Sequence, residues 1–213
     1  MRRSASPRPP SRSRRFDRRE RAGEDGDGDG GLRRRLLLGR ARRVPACRGR
    51  HCRGLRYAGG ARDTAHYEQV EEGDTGHAET VEITYDPHRI TYGKLLQIYF
   101  SVAHDPTELN RQGPDSGPAI PLGDLIQNPE QEKVAAAYVK QLDQSGAFSR
   151  PIATKLEPFT GFYPAEAYHQ DFLTRNPTYP YIAINDLPKV RALQKTFAPL
   201  YRDKPVLVSA ATD

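Results

Sequence analysis

The sequence predicts a single α+β domain preceded by a disordered, arginine-rich arm. Three observations carry that expectation: a break in charge near residue 56, a period-two strand that runs directly into an amphipathic helix, and later elements that follow without strict strand–helix alternation. A chain of 213 residues has room for one domain of ordinary size and some tail. The expected layout is an arm over 1–56, a domain over 57–199 and a C-terminal tail over 200–213.

The arm rests on charge. The formal net charge of +6 is unevenly spread: residues 1–56 hold 19 Arg, no Lys and 6 acidic residues, whereas the remainder carries 14 basic against 21 acidic residues. A segment so charged has too little apolar surface to offset the entropy of ordering, and taken as written it favours polyanions such as nucleic acid. No stretch approaches the roughly 20 apolar residues of a membrane span, and no apolar segment follows the basic N-terminus as a secretory signal requires. A soluble, cytoplasmic, monomeric protein without membrane contacts is therefore expected. Cys47 and Cys52 are the two cysteines, with His51 beside the second. They are too few for a zinc site or a disulfide framework and read as incidental.

The strand is Glu79–Tyr85, where Val81, Ile83 and Tyr85 alternate with Glu82 and Thr84, the signature of a half-buried strand. Asp86-Pro87 ends it. Thr91 caps a helix with Tyr92, Leu95, Leu96, Tyr99 and Val102 at helical spacing. Residues 105–128 are rich in Gly, Pro, Asn and Asp without a period, and predict a long loop of the kind that carries function. Asn128 caps the next helix, Pro129 takes its first position, Val134, Tyr138 and Leu142 form its stripe, and Gly146 ends it. A short strand over Ile152–Leu156, a helix over Ala165–Leu173, and a last helix from Asp186-Leu187-Pro188 to Phe197 complete the order.

Two stretches are polar without being charge runs: Gly73 to Glu79 (GDTGHAE) and His104 to Asp115 (HDPTELNRQGPD). Glu79 starts the strand, Tyr67 precedes it by twelve residues and Asp115 lies in the long loop, so two carboxyls and a phenol are available to one site. The same glycines and aspartates serve equally well as turn and cap residues. His77 and His104 are isolated, and isolated histidines are more often satisfied structural groups than metal ligands; no metal is expected.

Tyr57-Ala58-Gly59-Gly60, Tyr67-x-x-Val70, Gly73-Asp74-Thr75-Gly76-His77-Ala78-Glu79, Tyr85-Asp86-Pro87, His104-Asp105-Pro106-Thr107, Asn110-Arg111-Gln112-Gly113-x-Asp115 and Tyr168-His169-Gln170-Asp171 stand in the order of a known signature. Together they resemble the peptide methionine sulfoxide reductase A family, over residues of about 57–199. The resemblance implies a ferredoxin-like mixed sheet packed by helices, and reduction of methionine-(S)-sulfoxide, free or in proteins, to methionine. In that family a cysteine of Gly-Cys-Phe-Trp-Gly at a helix N-terminus, where a thiolate is favoured, attacks the sulfoxide sulfur. A glutamate that Glu79 matches protonates the departing oxygen, a carboxyl raised by desolvation being a suitable acid near neutral pH. Tyr67 matches a phenol that holds the oxygen, and Asp115 a second, supporting carboxylate. No cofactor is implied. The reductant is thioredoxin or another dithiol acting directly, because no cysteine follows Cys52 to act as a resolving group.

The chain departs from the family twice. The nucleophile's expected position is Leu36, and there is no Trp in the chain. The family's Gln-Tyr-Arg-Ser-Ala-Ile is replaced, at equal length, by Ala119-Ile120-Pro121-Leu122-Gly123-Asp124. Both replacements are what the genetic code produces one base out of frame. Phe-Gly-Gly-Gly-Cys-Phe-Trp-Gly written TTC GGC GGC GGC TGC TTC TGG GGC, preceded by C and read one base early, becomes CTT CGG CGG CGG CTG CTT CTG GGG, which encodes Leu32-Arg33-Arg34-Arg35-Leu36-Leu37-Leu38-Gly39. CAA TAC CGC TCG GCG ATC, preceded by G, likewise becomes GCA ATA CCG CTC GGC GAT, encoding residues 119–124. The expectation is that the N-terminus to about Arg56, and about Pro118–Ile126, are out-of-frame translation, that the first strand and the nucleophile's helix are lost, and that the chain as written is catalytically impaired. The alternative is an inactive domain whose arm binds nucleic acid or another polyanion.

Overall fold

The computed structural model describes residues 34–39, 50–109, 111–112, 114–116, 123–158, 161–205 and 207–208, with backbone alone at 34–39, 50–53 and 123–125. Most of the expected arm, including Cys47, lies outside the described residues, as do 117–122 and the last five residues of the tail.

A six-stranded mixed sheet organises the domain. Its strands are β1 (Arg34–Gly39), β2 (Arg50–Ala58), β3 (Ala78–Tyr85), β6 (Gly123–Ile126), β7 (Lys155–Pro158) and β8 (Phe162–Pro164), in the spatial order β7-β6-β1-β3-β2-β8. The pairs are antiparallel except β6 with β7, which is parallel. Two short strands, β4 (Arg111–Gln112) and β5 (Asp115–Ser116), form a separate hairpin. The helices are α1 (Tyr67–Glu72), α2 (Tyr92–Ile98), α3 (Pro129–Gln144), α4 (Phe172–Arg175) and α5 (Leu187–Thr196). This is the single α+β architecture expected.

The expected arm is corrected where it can be seen. Residues 34–39 and 50–56 are not an arm there but sheet: β1 lies along one side of β3 and β2 along the other. A strand at the position of β3 presents two rows of unmatched N–H and C=O groups, and their pairing outweighs an unfavourable composition. A strand thus lies on each side of β3. In β1, Leu36 sits mid-strand with Ile83 as Cα partner, and no helix begins there.

β3 is also more buried than its alternation suggests, since all eight residues are buried. The apolar face, with Val81, Ile83 and Tyr85, joins Tyr92, Leu95, Leu96 and Tyr99 of the α2 segment in the core. The polar face is tolerated because its groups are satisfied: Arg56 pairs with Glu82 at 3.3 Å, and the Thr80 hydroxyl donates to the Arg56 carbonyl at 3.3 Å.

The caps are as the sequence predicts. Thr91 Oγ1 accepts from the Lys94 N–H at 3.1 Å, and Asn128 Oδ1 from the Gln131 N–H at 2.9 Å. The stripes shift. After Ile98 the chain widens into a π turn over Tyr99–Ala103, so Phe100 and Ala103 turn inward while Val102 is only partly buried. In α3 the buried row is Gln131, Ala135, Tyr138 and Leu142, with Val134 at its margin.

The region expected as one loop over 105–128 contains β4, β5 and β6. The strand expected at Ile152–Leu156 starts three residues later, because Ala153 N–H is taken by the Pro106 carbonyl at 2.7 Å. The helix expected over Ala165–Leu173 is split. A 3₁₀ turn at Ala167–His169 and α4 are separated at Asp171, whose φ is 56°. The cause is Gln170. Its amide accepts from the Leu55 N–H at 2.8 Å and donates to the Leu55 and Ala165 carbonyls at 3.1 and 2.9 Å, which pulls the chain out of helix onto β2. Position 54 must be glycine for this approach: with φ +103°, its Cβ would stand 2.5 Å from Gln170 Oε1.

Candidate active site at the start of the third strand

The site is built where two polar turns interlock. Gly59 has φ +104°, and a Cβ there would meet the Gly76 carbonyl oxygen at 2.6 Å; one on Gly60 would meet Thr75 O and the His77 ring at 2.5 Å. The turn ending β2 and the turn entering β3 therefore pack backbone on backbone, which accounts for the glycines in both. His77 fastens them. The Gly60 N–H donates to Nδ1 at 3.2 Å and Nε2 contacts the Ala61 carbonyl at 2.7 Å. An amide N–H can only donate and a carbonyl only accept, so in this pairing Nδ1 is the acceptor and Nε2 the donor. His77 thereby ties the two turns together.

This fastening sets the register that places Tyr57 opposite Glu79. Both are deeply buried, at 0% and 3% exposure. The Tyr57 hydroxyl donates to Glu166 Oε2 at 2.6 Å, and Glu166 Oε1 accepts from the Tyr67 N–H at 2.9 Å. Tyr67 is the first residue of α1, and His66 before it offers no side-chain cap, so Glu166 caps that helix from a distant part of the chain. The Tyr67 ring lies 4.4 Å from the His169 ring, which lies 4.2 Å from Tyr168, itself 58% exposed. Three rings thus run from the partly buried Tyr67 out to the exposed Tyr168.

The electrostatics follow from burial and pairing. Desolvation, then the hydrogen bond and charge of Glu166, then the charges of Glu79 and Tyr168 push the Tyr57 phenol far above the ordinary tyrosine range, so it stays a donor. Burial alone raises the Glu166 carboxyl. Hydrogen bonds from Tyr57, its own backbone and the Tyr67 N–H, with the charge of His169, outweigh that and hold it below the ordinary range.

The structure thus joins two of the residues singled out in sequence, Glu79 and Tyr67, through Tyr57 and Glu166. Asp115 is held from another direction: in the β4–β5 hairpin it accepts a hydrogen bond from the Tyr181 hydroxyl. The side chain of Gln112 braces that loop by accepting from the Asp105 N–H at 3.1 Å and donating to its carbonyl at 2.8 Å. Leu36 pairs with Ile83, four residues along β3 from Glu79, roughly 13 Å at the rise of a strand. Glu166 went unnoticed in sequence. Its signal was weak, a lone glutamate two residues before Tyr168-His169-Gln170-Asp171, and only its contacts distinguish it.

His104 is a second buried histidine, and also structural. It stacks on Tyr99 at 4.7 Å and 5°, and Nε2 contacts Thr154 Oγ1 at 3.0 Å. Burial lowers its pKa to about 3 against an opposing pull from Asp105 and with a smaller push from Lys189. No group of three or more His, Cys, Asp or Glu able to hold a metal occurs among the described residues.

The sequence profile of peptide methionine sulfoxide reductase matches residues 52–200. The chain is 57% identical over 157 residues to peptide methionine sulfoxide reductase MsrA 2 of Mesorhizobium japonicum, covering 74% of this chain and 80% of that protein. It is 44% identical over 146 residues to MsrA of Thermus thermophilus, covering 68% and 81%. Among solved structures it resembles reduced Mxr1 from Saccharomyces cerevisiae, with a TM-score of 0.61, 27% identity and coverage of 72% and 91%. It also resembles methionine sulfoxide reductase A of Corynebacterium diphtheriae, with a TM-score of 0.54, 25% identity and coverage of 71% and 78%.

Proposed function

The chain belongs to the peptide methionine sulfoxide reductase A family, the peptide-methionine (S)-S-oxide reductases, and from that premise we propose that its domain is built to reduce methionine-(S)-sulfoxide, free or in proteins, but lacks the nucleophile as written. The observation that carries the reading is the buried Glu79 opposite Tyr57 and linked through Glu166 to Tyr67. Glu79 gives its proton to the sulfoxide oxygen, Tyr67 holds that oxygen, and Asp115 supports the site through hydrogen bonding. With a cysteine in place, its sulfur attacks the sulfoxide sulfur, the S–O bond breaks, and the products are methionine and a cysteine sulfenic acid. Two thiols then supply two electrons: a disulfide and water form and the cysteine is restored. Thioredoxin or a small dithiol is the proposed reductant, acting on a monomer in the cytoplasm. Among the described residues no helix is long and apolar enough to cross a membrane.

The out-of-frame origin of residues up to about 56 and about 118–126 belongs to the same proposal. One observation supports it: the family match begins only at residue 52, beyond Leu36. The two departing segments are neighbours in the sheet, β1 pairing with β6 through Leu37↔Leu125 and Leu38↔Asp124.

The test compares the literal chain with a restored one in which residues up to about 56 and about 118–126 are replaced by the neighbouring-frame translation of the coding DNA, which is expected to spell Gly-Cys-Phe-Trp-Gly at 35–39 and Gln-Tyr-Arg-Ser-Ala-Ile at 119–124, each supplied with a methyl sulfoxide and dithiothreitol. Turnover by the restored chain alone is expected. Turnover by the literal chain at a similar rate removes the missing-nucleophile claim. If the restored chain is inert while the literal chain binds nucleic acid in a salt-dependent way, the inactive-domain alternative replaces this reading.

A further inference from the structure

α1 is six residues long, too short to be stable from its own hydrogen bonds, yet it carries Tyr67, whose ring must be fixed to within about half an ångström of its working geometry. Its first N–H is capped by Glu166 Oε1, while Glu166 Oε2 takes the phenol of Tyr57. One carboxylate therefore joins three separate pieces of chain: the entrance to the 3₁₀ turn at Ala167–His169, the first residue of α1, and the strand position facing Glu79. The Tyr57 contact at 2.6 Å has the length of a charge-assisted O–H···O⁻ bond.

We propose that Glu166 is a positioning residue that, by holding Tyr57 with one carboxylate oxygen and α1 with the other, sets the Tyr67 phenol relative to Glu79. The proposal rests on the reading that Glu79 and Tyr67 receive the sulfoxide oxygen. Its chemistry is specific to a carboxylate. Both neighbours are donors, so an amide at 166 offers one acceptor oxygen for two of them and turns an NH₂ group toward the other. Aspartate keeps both oxygens but is one methylene short of spanning them. Because Tyr57 stays protonated and Glu166 ionised through neutral pH, the clamp holds one protonation state over that range.

The experiment uses the full chain, unsubstituted and as E166Q, E166D and E166A, with nitrogen-15 labelling for NMR. In the unsubstituted chain the Tyr67 amide proton is expected to shift with pH as its carboxylate partner titrates below the ordinary glutamate range, and the Tyr67 and His169 rings to show a nuclear Overhauser contact. Titration with N-acetyl-methionine-(S)-sulfoxide is expected to give an affinity about tenfold weaker or more in E166A, with E166Q and E166D between. E166A with the ring contact and full affinity intact overturns the proposal. If E166A does not fold, E166Q decides: loss of the pH-dependent Tyr67 shift together with weakened sulfoxide binding upholds the clamp, and unchanged binding and ring contact overturn it. Absence of sulfoxide binding by the unsubstituted chain refutes the functional reading instead, and the ring contact and amide titration still decide whether Glu166 positions Tyr67.

Discussion

Two glutamates on one strand, Glu79 and Glu82, are equally buried, at 3% and 2% exposure, but lie on opposite faces of β3 and have different neighbours. On the polar face, Arg56 reaches Glu82 with two nitrogens, Nη2 at 3.3 Å and Nε at 3.4 Å, while its guanidinium carbon sits 5.4 Å from the centre of the Phe162 ring. On the other face Glu79 stands across from Tyr57, a phenol already committed to Glu166. Burial by itself therefore does not mark the chemical group. The Glu82 carboxylate meets a guanidinium within the fold, whereas Glu79 faces the Tyr57 phenol, and it is Glu79 for which we propose the contact with the sulfoxide.

The contrast is broken most sharply by exchanging each glutamate for glutamine. In the chain restored in frame as above, E79Q is expected to lower the rate of sulfoxide reduction by about 10²–10⁴-fold, the usual worth of a general acid, with urea unfolding little changed. An equal loss of activity in E82Q would erase the distinction. From the other side, R56A leaves Glu82 buried opposite an empty place. Its unfolding free energy is expected to fall by about 2–4 kcal/mol, the range for breaking a buried pair discounted for the partial exposure of Arg56, and R56M/E82L should recover most of it. Failure of the double variant to recover would show that packing around Arg56, not charge, holds this face.

His104 extends the comparison to a buried base. Its folded pKa of about 3 lies below the unfolded value of 6.5, so the unfolded chain binds the extra proton between those values and stability falls as pH drops through that window. About 2 kcal/mol should be lost between pH 7 and pH 5 on this account. Chemical denaturation at both pH values should show that slope flattened in H104Q; an unchanged slope would move its origin to another group. The smallest expected effect lies at the start of α3. N128A removes the cap of α3 and should cost about 1 kcal/mol, measured as a fall in the urea midpoint at constant m-value, with sulfoxide affinity unaffected.

Residues of about 57–199 carry the motifs that match the family, and there the turns, caps and contacts agree with one another: His77 with the Gly59-Gly60 turn, Gln170 with Leu55, Thr91 with Lys94. β1 and β6 are joined by backbone pairing. Such pairing accepts almost any sequence, which is why a strand persists where the family's residues do not, and why its presence says nothing for catalysis.

Much of the fold was legible because its signals are local. The alternation of residues 79–85 and the caps Thr91 and Asn128 are each decided within a few residues by side-chain spacing and hydrogen bonds to nearby N–H groups; the last helix, expected to start at Asp186-Leu187-Pro188, is instead already helical from residue 180 and enters α5 through a π segment over Ile182–Asp186, with no side-chain cap from Asp186. The errors fell where a distant group overrode a local preference. Gln170 left the helix for Leu55, Ala153 was drawn from its strand by Pro106, and residues 34–39 and 50–56 were recruited by the two sides of β3. The candidate site divides the same way. The sequence alone determined the family and, by motif, nominated Glu79, Tyr67 and Asp115 for the proposed site, with Leu36 where the family's cysteine is expected. Only the tertiary structure decided that Glu166 joins Tyr57 to Tyr67 and that Arg56 belongs to Glu82, because those pairings span 109, 99 and 26 residues. At such separations no local pattern encodes the partner, and contact is settled by which packing of the whole chain satisfies its buried polar groups.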